Sequence, residues 1–336
     1  MAPRNRQFRL AARPVGIPRR ADWNFTEETL CEPAEEEFLV KILYISLDPA
    51  MRPWMNDVES YVPPVQIGEV MRALGAGRVV ASKHPNFQPG DYVTGVFGVQ
   101  EYAISNGERA TKVEPSRASL PVYLSTLGMT GMTAYFGLLE VGQPKPGETV
   151  VVSGAAGAVG SVAGQIAKIK RCRVVGIAGG SGKCRYITEE LGFDAAIDYK
   201  QGKVGQALAQ QCPDGIDVYF DNVGGELLDE VLLQINLHAR IVICGAISQY
   251  NNTAPVKGPA NYLLLLIRRA RMEGMLVTDF ISRYREAAHE MTGWMAQGKL
   301  KGREDIFSGL ETFPEVFLKL FTGENNGKLI LKVAEE

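Results

Sequence analysis

The sequence contains few of the residues from which metal sites and disulfide frameworks are built. Its 336 residues include three histidines and five cysteines, and no two cysteines form a C-x-x-C pair. Before Thr149, only Cys31 and His84 represent these two residue types. A catalytic zinc requires several Cys, His or carboxylate ligands in one place, so we expect no metal ion. The odd number and wide spacing of the cysteines are typical of reduced thiols in a cytoplasmic protein.

The sequence also lacks an excess of charge and long apolar runs. Its 36 Lys and Arg residues nearly balance 38 Asp and Glu residues, so bulk positive charge cannot attract nucleic acid. The longest tidy apolar run, residues 262–267, is far shorter than the ~20 residues of a membrane span. We expect this run to form a buried turn of helix. Residues 1–10 are polar and basic, unlike a secretion signal, so neither nucleic acid nor membrane is an expected partner.

Two regions of different texture divide the chain, whose length predicts two domains. Residues 1–125 contain short alternating apolar runs between turn residues, which predicts a curled antiparallel β domain. From Thr149 onward strands alternate with helices, which predicts the parallel, doubly wound sheet of an α/β protein. The predicted strands are residues 149–153, 173–178, 195–199, 216–221, 239–244 and 271–277, and the predicted helices include 183–191, 226–235 and 281–297. A last strand, 328–333, could rejoin the first region.

A glycine-rich loop follows the first of these strands. Gly154 can make the exit from the strand, Gly157 admits a pyrophosphate, and Gly160 lets the next helix pack close to the sheet. The helix N-terminus offers N–H groups to phosphate. Because the usual G-x-G-x-x-G begins here with alanine, the strand–turn–helix context carries the prediction of a dinucleotide-binding loop, with a purely structural turn as the alternative. The predicted contacts are Ala155, Gly157, Ala158 and Val159.

The end of the second strand favours NADPH over NADH. An NAD site needs an Asp or Glu there for the ribose 2′-hydroxyl, whereas this segment offers Gly180, Ser181 and Lys183. Charge-assisted bonds of ~1.5–3 kcal/mol would favour the 2′-phosphate by roughly 10- to 100-fold each. Tyr199 is a second candidate for this phosphate. The alternatives are that Lys183 merely begins an exposed helix and that Tyr199 makes no phosphate contact.

Two common catalytic patterns are missing, and the motifs that are present resemble one family. No Tyr-x-x-x-Lys pair follows the fourth strand and no Gly-x-Ser-x-Gly elbow occurs, which leaves hydride transfer without metal.

The remaining motifs are SLDPAMR at 46–52, IGEVM at 67–71, LGMTGMTAY at 127–135, DNVGG at 221–225, CGAISQYN at 244–251 and GENNGK at 323–328. In this order they resemble zinc-independent medium-chain reductases, in the branch of prostaglandin/leukotriene reductases, plant alkenal double-bond reductases and, most similar, bacterial NADPH-dependent curcumin reductases.

The resemblance implies a fold, a reaction and an assembly. It implies a Rossmann domain at 126–298 and a discontinuous, mainly β, GroES-like domain formed by 1–125 and 299–336. The implied reaction is NADPH-dependent reduction of the C=C bond of α,β-unsaturated ketones and aldehydes. A homodimer joined at the edge of the cofactor-domain sheet is also implied.

The resemblance also assigns residues to the site. Tyr250 would stabilise the enolate oxygen that forms when hydride adds to the β-carbon, and the α-carbon would take a proton from that hydroxyl or from water. The substrate would contact Ala50, Arg52, Tyr61 and Tyr250, with a structural salt bridge as the alternative for Arg52 and core packing as the alternative for the aromatic Tyr61. In addition to the loop residues above, the cofactor would contact Met129, Thr133, Asn222, Cys244, Ala246, Ile247 and Asn325.

Two departures from the family pattern leave other functions open. Ala50 stands where the family usually has a tyrosine that lines the substrate pocket, which predicts a roomier or altered pocket. Asn326 stands where an apolar residue is common, and nothing in the sequence explains it. A quinone or carbonyl reductase on the same scaffold and a non-catalytic NADPH-binding protein are the alternative functions, because a fold by itself does not define a reaction.

Overall fold

The computed structural model describes residues 4–335, which form two compact units. The first contains the described residues up to Ser125 and those from Glu304 onward, and the second contains Thr126–Arg303. This division differs from the sequence prediction, which ended the second domain at residue 298. Residues 299–303 belong to the second unit because Leu300 is buried in its core and the Lys301 backbone exchanges two 2.9 Å hydrogen bonds with the Gln165 side chain.

The described residues form fifteen strands and nine α-helices, joined by shorter helical turns. The strands are β1 (Arg4–Leu10), β2 (Trp23–Thr29), β3 (Phe38–Ser46), β4 (Leu74–Ser82), β5 (Tyr92–Val96), β6 (Tyr102–Ser105), β7 (Ala110–Val113), β8 (Thr149–Ser153), β9 (Arg173–Ala178), β10 (Ala195–Asp198), β11 (Ile216–Asp221), β12 (Ile235–Ile243), β13 (Arg271–Gly274), β14 (Glu304–Ser308) and β15 (Lys328–Lys332). The α-helices are α1 (Leu120–Leu124), α2 (Met129–Phe136), α3 (Ala158–Ile169), α4 (Ser181–Arg185), α5 (Val204–Gln211), α6 (Gly225–Leu232), α7 (Leu263–Arg268), α8 (Tyr284–Ala296) and α9 (Phe313–Thr322).

The first unit is built around a mainly antiparallel sheet. Its strand order is β14-β15-β3-β4-β5-β7, with β6 also paired to β3, while β1 and β2 form a separate antiparallel pair. β3 is central because nearly all of its residues are apolar and buried. β15 pairs antiparallel with β3, which confirms that the last strand of the chain rejoins the first region. This is the predicted GroES-like β fold.

The second unit is a parallel, doubly wound sheet with the strand order β10-β9-β8-β11-β12-β13. Every residue of β8 is buried, as expected of a strand covered on both faces. Val150 and Val152 belong to one core cluster and Val151 to another, so each face of the sheet has its own core. The predicted Rossmann-like α/β fold is confirmed. In such sheets ligands bind at the carboxyl ends of the strands where the order reverses, here at β8.

Some predicted elements have different limits in the structure. The fifth strand begins at Ile235, four residues before the predicted start, and the sixth ends at Gly274. The predicted helix at 183–191 consists of α4 followed by a π-helical turn, Tyr186–Glu190. The predicted helix at 226–235 ends at Leu232, and β12 begins at Ile235.

The prediction of a buried helical turn at 262–267 is wrong. α7 does form there, but Leu263, Leu266 and Ile267 are 58%, 76% and 61% exposed. Its apolar composition suggested burial, whereas nothing within the described chain covers these side chains. Between residues 4 and 335, no helix has the length and hydropathy needed to cross a lipid bilayer.

Candidate active site

The glycine loop connects β8 to α3 at the carboxyl edge of the parallel sheet. Gly154 leaves the strand with a φ of +58°, a conformation that favours glycine. The Gly157 N–H donates to the Gly154 carbonyl over 2.9 Å and closes a tight turn before α3. In the described part of the chain no side chain caps α3. The first-turn N–H groups, which include those of Ala158 and Val159, are therefore suited to an anionic ligand.

The glycines of this loop have partly different roles from those predicted. A Cβ at Gly160 would lie 2.4 Å from the Gly154 carbonyl oxygen and 2.9 Å from Ala155 Cα. Gly160 therefore allows α3 to approach its own loop rather than the sheet. Close packing farther along α3 depends on Gly164, where a Cβ would overlap the ring of Phe193. Ala155 is completely buried beneath the loop and its N–H donates to the Ile177 carbonyl over 3.0 Å, so this predicted cofactor contact presents no surface to a ligand.

A buried carboxylate organises the loop that follows β11. Asp221 is completely buried, and its Oδ1 accepts hydrogen bonds from the Ser153 and Tyr219 hydroxyls, each over 2.9 Å. The same oxygen accepts the N–H groups of Val223 and Gly224 over 2.9 and 3.0 Å. Oδ2 has no hydrogen-bond partner within the described residues. Burial raises the pKa of the Asp221 carboxyl, and the hydrogen bonds oppose that rise.

Asn222 connects this loop to its neighbours. Its N–H donates to Ser153 Oγ over 2.8 Å, and its Nδ2 donates to the Ser153 carbonyl over 2.7 Å. Its own carbonyl accepts the Ile247 N–H over 3.2 Å. The predicted cofactor contacts Asn222 and Ile247 are therefore brought together with the end of β8. The sequence prediction missed the supporting roles of Ser153 and Asp221, although each is a polar residue at the end of a predicted strand.

The loop after β12 contains the predicted catalytic tyrosine. The N–H groups of Cys244 and Gly245 donate to the Asp221 carbonyl over 2.9 and 3.1 Å, which fixes the start of the loop. Burial raises the pKa of the Cys244 thiol to about 12, so this cysteine is uncharged at neutral pH. The Ala246 N–H donates to the Tyr250 hydroxyl oxygen over 3.2 Å. The structure thus holds the partly buried Tyr250 ring back over its own loop.

Two predicted nicotinamide contacts lie on α2. Met129 is the first residue of this helix and packs partly buried against the main core of the second unit. The Thr133 hydroxyl, one turn later, donates to the Met129 carbonyl over 2.7 Å. The two residues are therefore neighbours on one face of α2.

The residues predicted to bind the 2′-phosphate lie at the ends of β9 and β10. Gly179 packs against the ring of Tyr199, since a Cβ there would lie 2.8 Å from ring atoms. Gly180 has a φ of +93° and leads into α4, whose first turn contains the exposed Ser181 and the partly buried Lys183. The structure therefore brings Tyr199 to the loop that begins α4.

A carboxylate that the sequence prediction did not include also reaches this loop. Asp198 Oδ1 accepts the Gly180 N–H over 2.7 Å and the Lys200 N–H over 3.0 Å. The Gly180 hydrogen bond is the main reason why the pKa of the Asp198 carboxyl lies below its ordinary value. The sequence prediction looked for a carboxylate only at the end of β9 and took Tyr199 from the end of β10, whereas Asp198, one position earlier on β10, supplies a carboxylate at the same edge.

In the first unit, the predicted substrate residues surround a short turn after β3. Ala50 lies in the 3-10 turn Pro49–Met51 and is partly exposed. Tyr61 is 53% exposed, and its hydroxyl oxygen accepts the Trp54 indole N–H over 3.2 Å. Both side chains are accessible to a ligand from solvent.

Arg52 has a different role from the predicted substrate contact. It is 2% exposed, and Nε and Nη2 donate to the Gly16 carbonyl over 3.1 and 2.9 Å. Nη2 also donates to the Pro14 carbonyl, and Nη1 donates to Asn56 Oδ1 over 2.7 Å. The guanidinium therefore holds the N-terminal segment against the turn, which favours the structural alternative over a substrate contact.

Asn325 and Asn326 stabilise the loop that precedes β15. Asn325 Nδ2 donates to the Gly327 carbonyl over 3.0 Å, and the Asn326 N–H donates to Asp305 Oδ2 over 3.1 Å. The unexplained Asn326 thus binds through its backbone, for which an asparagine side chain is not required.

Within residues 4–335, no three His, Cys, Asp or Glu side chains are grouped as metal ligands would be.

Comparisons with known proteins extend over both units. Residues 6–113 match the family described as the N-terminal domain of oxidoreductase, and residues 158–293 match the family described as zinc-binding dehydrogenase. The chain is 45% identical to the NADPH-dependent curcumin reductase of Escherichia coli (strain K12), over 98% of this chain and 97% of that protein. It is 40% identical to the NADP(+)-dependent 2-alkenal reductase of Nicotiana tabacum, over 99% and 98%. The crystal structure of CurA from Vibrio vulnificus in complex with NADPH is similar with a TM-score of 0.95 at 44% identity, covering 98% of this chain and 100% of that one.

Proposed function

The chain belongs to the zinc-independent branch of the medium-chain dehydrogenases/reductases, and we propose that it reduces the C=C bond of α,β-unsaturated ketones and aldehydes with NADPH. The observation that carries the proposal is the likeness, over nearly the whole chain, to an NADPH-dependent curcumin reductase and an NADP(+)-dependent 2-alkenal reductase. A 2-alkenal is an aldehyde conjugated to a C=C bond, which defines the substrate class.

The second unit has residues that fit NADPH. The uncapped N-terminus of α3 and the glycine loop would bind the pyrophosphate. Gly157 keeps the turn before α3 tight, because a Cβ there would lie 3.1 Å from the Gly154 carbonyl oxygen. Lys183 and Tyr199, with the loop that begins α4, would bind the 2′-phosphate. When bound, the cofactor supplies a hydride to the β-carbon of the substrate. The other proposed contacts are Met129, Thr133, Ala158, Val159, Gly180, Ser181, Asn222, Cys244, Ala246, Ile247 and Asn325.

Tyr250 is the proposed catalytic residue. Negative charge develops on the carbonyl oxygen of the substrate as the β-carbon is reduced, and the Tyr250 hydroxyl would donate a hydrogen bond to it. The Ala246 N–H, which donates to the same hydroxyl oxygen, strengthens that hydroxyl as a donor because linked hydrogen bonds polarise one another. The α-carbon then takes its proton from Tyr250 or from water.

The proposed substrate contacts in the first unit are Ala50 and Tyr61. The methyl group at position 50 leaves more room than the tyrosine that is usual in the family. We therefore expect acceptance of enones with a bulky group, in addition to small ones. Arg52 would act on substrate only indirectly, by fixing the turn that carries Ala50.

The decisive experiment follows NADPH oxidation with a simple conjugated enone and determines the product mass. A gain of two hydrogens at the C=C bond, with the saturated ketone inert, is expected. Reduction of the saturated ketone would indicate a carbonyl reductase, and NADPH binding without turnover over a panel of enones would indicate a non-catalytic protein. The substitution Tyr250→Phe should lower kcat more than it raises KM, whereas Tyr123→Phe, which removes a hydroxyl bonded to the Glu114 carbonyl, should change neither.

Cofactor preference tests the 2′-phosphate site separately. Lys183→Ala should weaken NADPH binding by roughly 10- to 100-fold and leave NADH binding unchanged. Arg185→Ala removes the same charge from the same short helix and serves as the control. An equal loss for both nucleotides would remove Lys183 from the phosphate site.

We also propose that two copies of the chain associate at the β13 edge of the parallel sheet. All residues of β13 are exposed, and its second edge is unpaired within the described chain, which is an arrangement open to pairing with another strand. The exposed apolar side chains of α7 lie in the segment just before this strand. Sedimentation should give a dimer, and Leu266→Glu should shift it toward monomer. A monomeric wild-type protein would reject this assembly.

The cytoplasm is the proposed location. All five cysteines are free thiols, including the exposed Cys31, and a reducing compartment preserves such thiols. Fractionation of cells that express the full chain would test this.

A further inference from the structure

A buried ion pair joins two distant parts of the first unit. Lys328, the first residue of β15, is 1% exposed, and its Nζ donates to Asp48 Oδ1 over 2.5 Å and to the Leu47 carbonyl over 2.9 Å. Asp48 is 4% exposed, and its second oxygen accepts a hydrogen bond from the Ser46 hydroxyl. The pair thus connects the end of β3 to the start of β15.

The Asp48 end of the pair fixes the turn that carries Ala50. Asp48 directly precedes the 3-10 turn Pro49–Met51, and its N–H points at Met51 Sδ over 3.5 Å. Met51 is itself buried in the core, whereas Ala50 is partly exposed. Because both carboxylate oxygens and the backbone N–H of Asp48 are engaged, the start of the turn is held from both sides.

The Lys328 end of the pair fixes the loop that carries Asn325. Lys328 follows Gly327, which has a φ of +81° and whose carbonyl accepts the Asn325 amide. The Leu47 N–H donates to the Leu329 carbonyl over 3.1 Å, so the two segments are also joined by their backbones. A shift of Lys328 would therefore move this loop and the Ala50 turn together.

Core stability alone does not explain this pair. Desolvation of two charges offsets much of their attraction, and well-packed apolar residues of similar volume are often as stable or more so. A buried ion pair instead fixes the relative position of the two segments, because its two groups meet only when both segments are in register. The neighbouring core residues, such as Leu329 and Leu331, show that apolar side chains are accommodated in the same strand.

We propose that Lys328 and Asp48 form a positioning pair that couples the substrate-contacting turn at Ala50 to the cofactor-contacting loop at Asn325. This inference rests on the proposed function for the roles of Ala50 and Asn325. Neither Lys328 nor Asp48 contacts substrate in this account, and both act through the segments that they hold.

The test compares Lys328→Met, Asp48→Asn and the double variant with Lys332→Met as control. Lys332 lies on the same strand, but its partner Glu335 is 87% exposed. Each variant is measured for melting temperature, for the NADPH dissociation constant, and for kcat and KM with an enone per folded molecule. The single variants should melt lower, and the double variant should recover most of the melting temperature because no unpaired charge stays buried.

The positioning role predicts that the double variant does not recover function together with stability. Its kcat/KM should stay reduced by roughly 10- to 100-fold, the loss typical of a misplaced reacting group. Its KM and its NADPH dissociation constant should both be higher than those of the wild type. The Lys332→Met control should match wild type. If the double variant is stable and has wild-type KM and NADPH affinity, the pair is merely structural and the inference is overturned.

Hydrogen exchange separates this inference from the proposed function. If wild-type protein reduces no enone, the proposed function fails, but amide exchange at 49–56 and 324–327 still reports on the pair. Faster exchange in both segments of the double variant, with unchanged exchange in β4, would support the coupling. Unchanged exchange in either segment would overturn it, whatever the wild-type activity.

Discussion

The two units bury a carboxylate in different ways. In the first unit, Asp48 is neutralised by the ammonium group of Lys328, which is 280 positions away in the sequence. In the second unit, Asp221 has hydroxyl and N–H donors within three positions and from the neighbouring strand, and no cation among the described residues donates to it. Charge pairing therefore joins distant segments in one unit, while neutral donors organise a loop of the proposed cofactor site in the other.

The difference has a physical consequence for the two loops. A lysine and a carboxylate that lose each other leave a full charge in the core, which is strongly destabilising. The donors around Asp221 are neutral, so they can also bind a neutral acceptor such as an amide oxygen. Asp221 Oδ2 has no hydrogen-bond partner within the described residues. The same Asp→Asn substitution should therefore give very different results at the two positions.

The largest effect is expected for Asp48→Asn. It leaves the buried Lys328 ammonium without its counter-charge, so the free energy of unfolding should fall by about 3–5 kcal/mol. Urea unfolding at neutral pH would measure it. Glu335→Gln, which breaks the exposed pair with Lys332, is the control and should change stability by less than about 0.5 kcal/mol. Equal effects for the two substitutions would contradict the difference between buried and exposed pairs.

A smaller effect is expected for Asp221→Asn at neutral pH. The amide oxygen still accepts the N–H groups of Val223 and Gly224, while the amide nitrogen becomes an unsatisfied buried donor in place of Oδ2. That penalty is about 1–3 kcal/mol, and it is partly offset because a charge is no longer buried. The free energy of unfolding should fall by about 1 kcal/mol. A loss as large as that of Asp48→Asn would show that the Asp221 charge itself is required.

The pH dependence of this second substitution should have a defined sign. Burial raises the pKa of Asp221 in the folded protein above its unfolded value of about 3.9. A raised carboxyl pKa stabilises the fold below the unfolded pKa, and that stabilisation is lost as pH rises through the folded pKa. The stability difference between wild type and Asp221→Asn should therefore be largest near pH 4 and should shrink toward neutral pH. A difference that grows with pH would mean that the carboxylate is favoured by the fold.

The comparison also explains what the sequence could predict. The parallel sheet and the glycine loop could be predicted, because buried parallel strands are continuous apolar runs and because a glycine turn follows the first of them. The local donors of Asp221 lie in one motif at 221–225, so the loop was found although its carboxylate was not. The Asp48–Lys328 pair could not be predicted. Both residues occur in recognised motifs, but neither motif indicates that the other residue is its partner.

One wrong prediction and one open alternative have the same origin. The apolar residues of α7 predicted burial, and the motif around Arg52 allowed either a substrate contact or a structural role, because composition does not tell which surface a residue meets. In the structure, Leu266 is exposed and the Arg52 guanidinium binds the carbonyls of Pro14 and Gly16. Both outcomes depend on tertiary neighbours far away in the chain.

The smallest effect is expected for Asp198→Asn, which extends the comparison to a carboxylate at the surface. Asp198 accepts N–H groups from Gly180 and Lys200, as Asp221 does from its loop, but it is partly exposed and its second oxygen accepts the Gln201 side-chain amide over 3.4 Å instead of a buried hydroxyl. Both N–H groups donate to Oδ1, so the amide oxygen can keep both hydrogen bonds and only the charge of the acceptor is lost. Stability should therefore fall by no more than about 0.5 kcal/mol, the lower end of the range for a lost cap. The negative charge next to the proposed 2′-phosphate site is also removed, so NADPH binding should strengthen slightly relative to NADH. Titration of both nucleotides against Asp198→Asn would measure this, with Asp214→Asn, which neutralises an exposed carboxylate in the turn before β11, as the control. Weaker NADPH binding to Asp198→Asn would show that holding the Gly180 loop matters more than the charge.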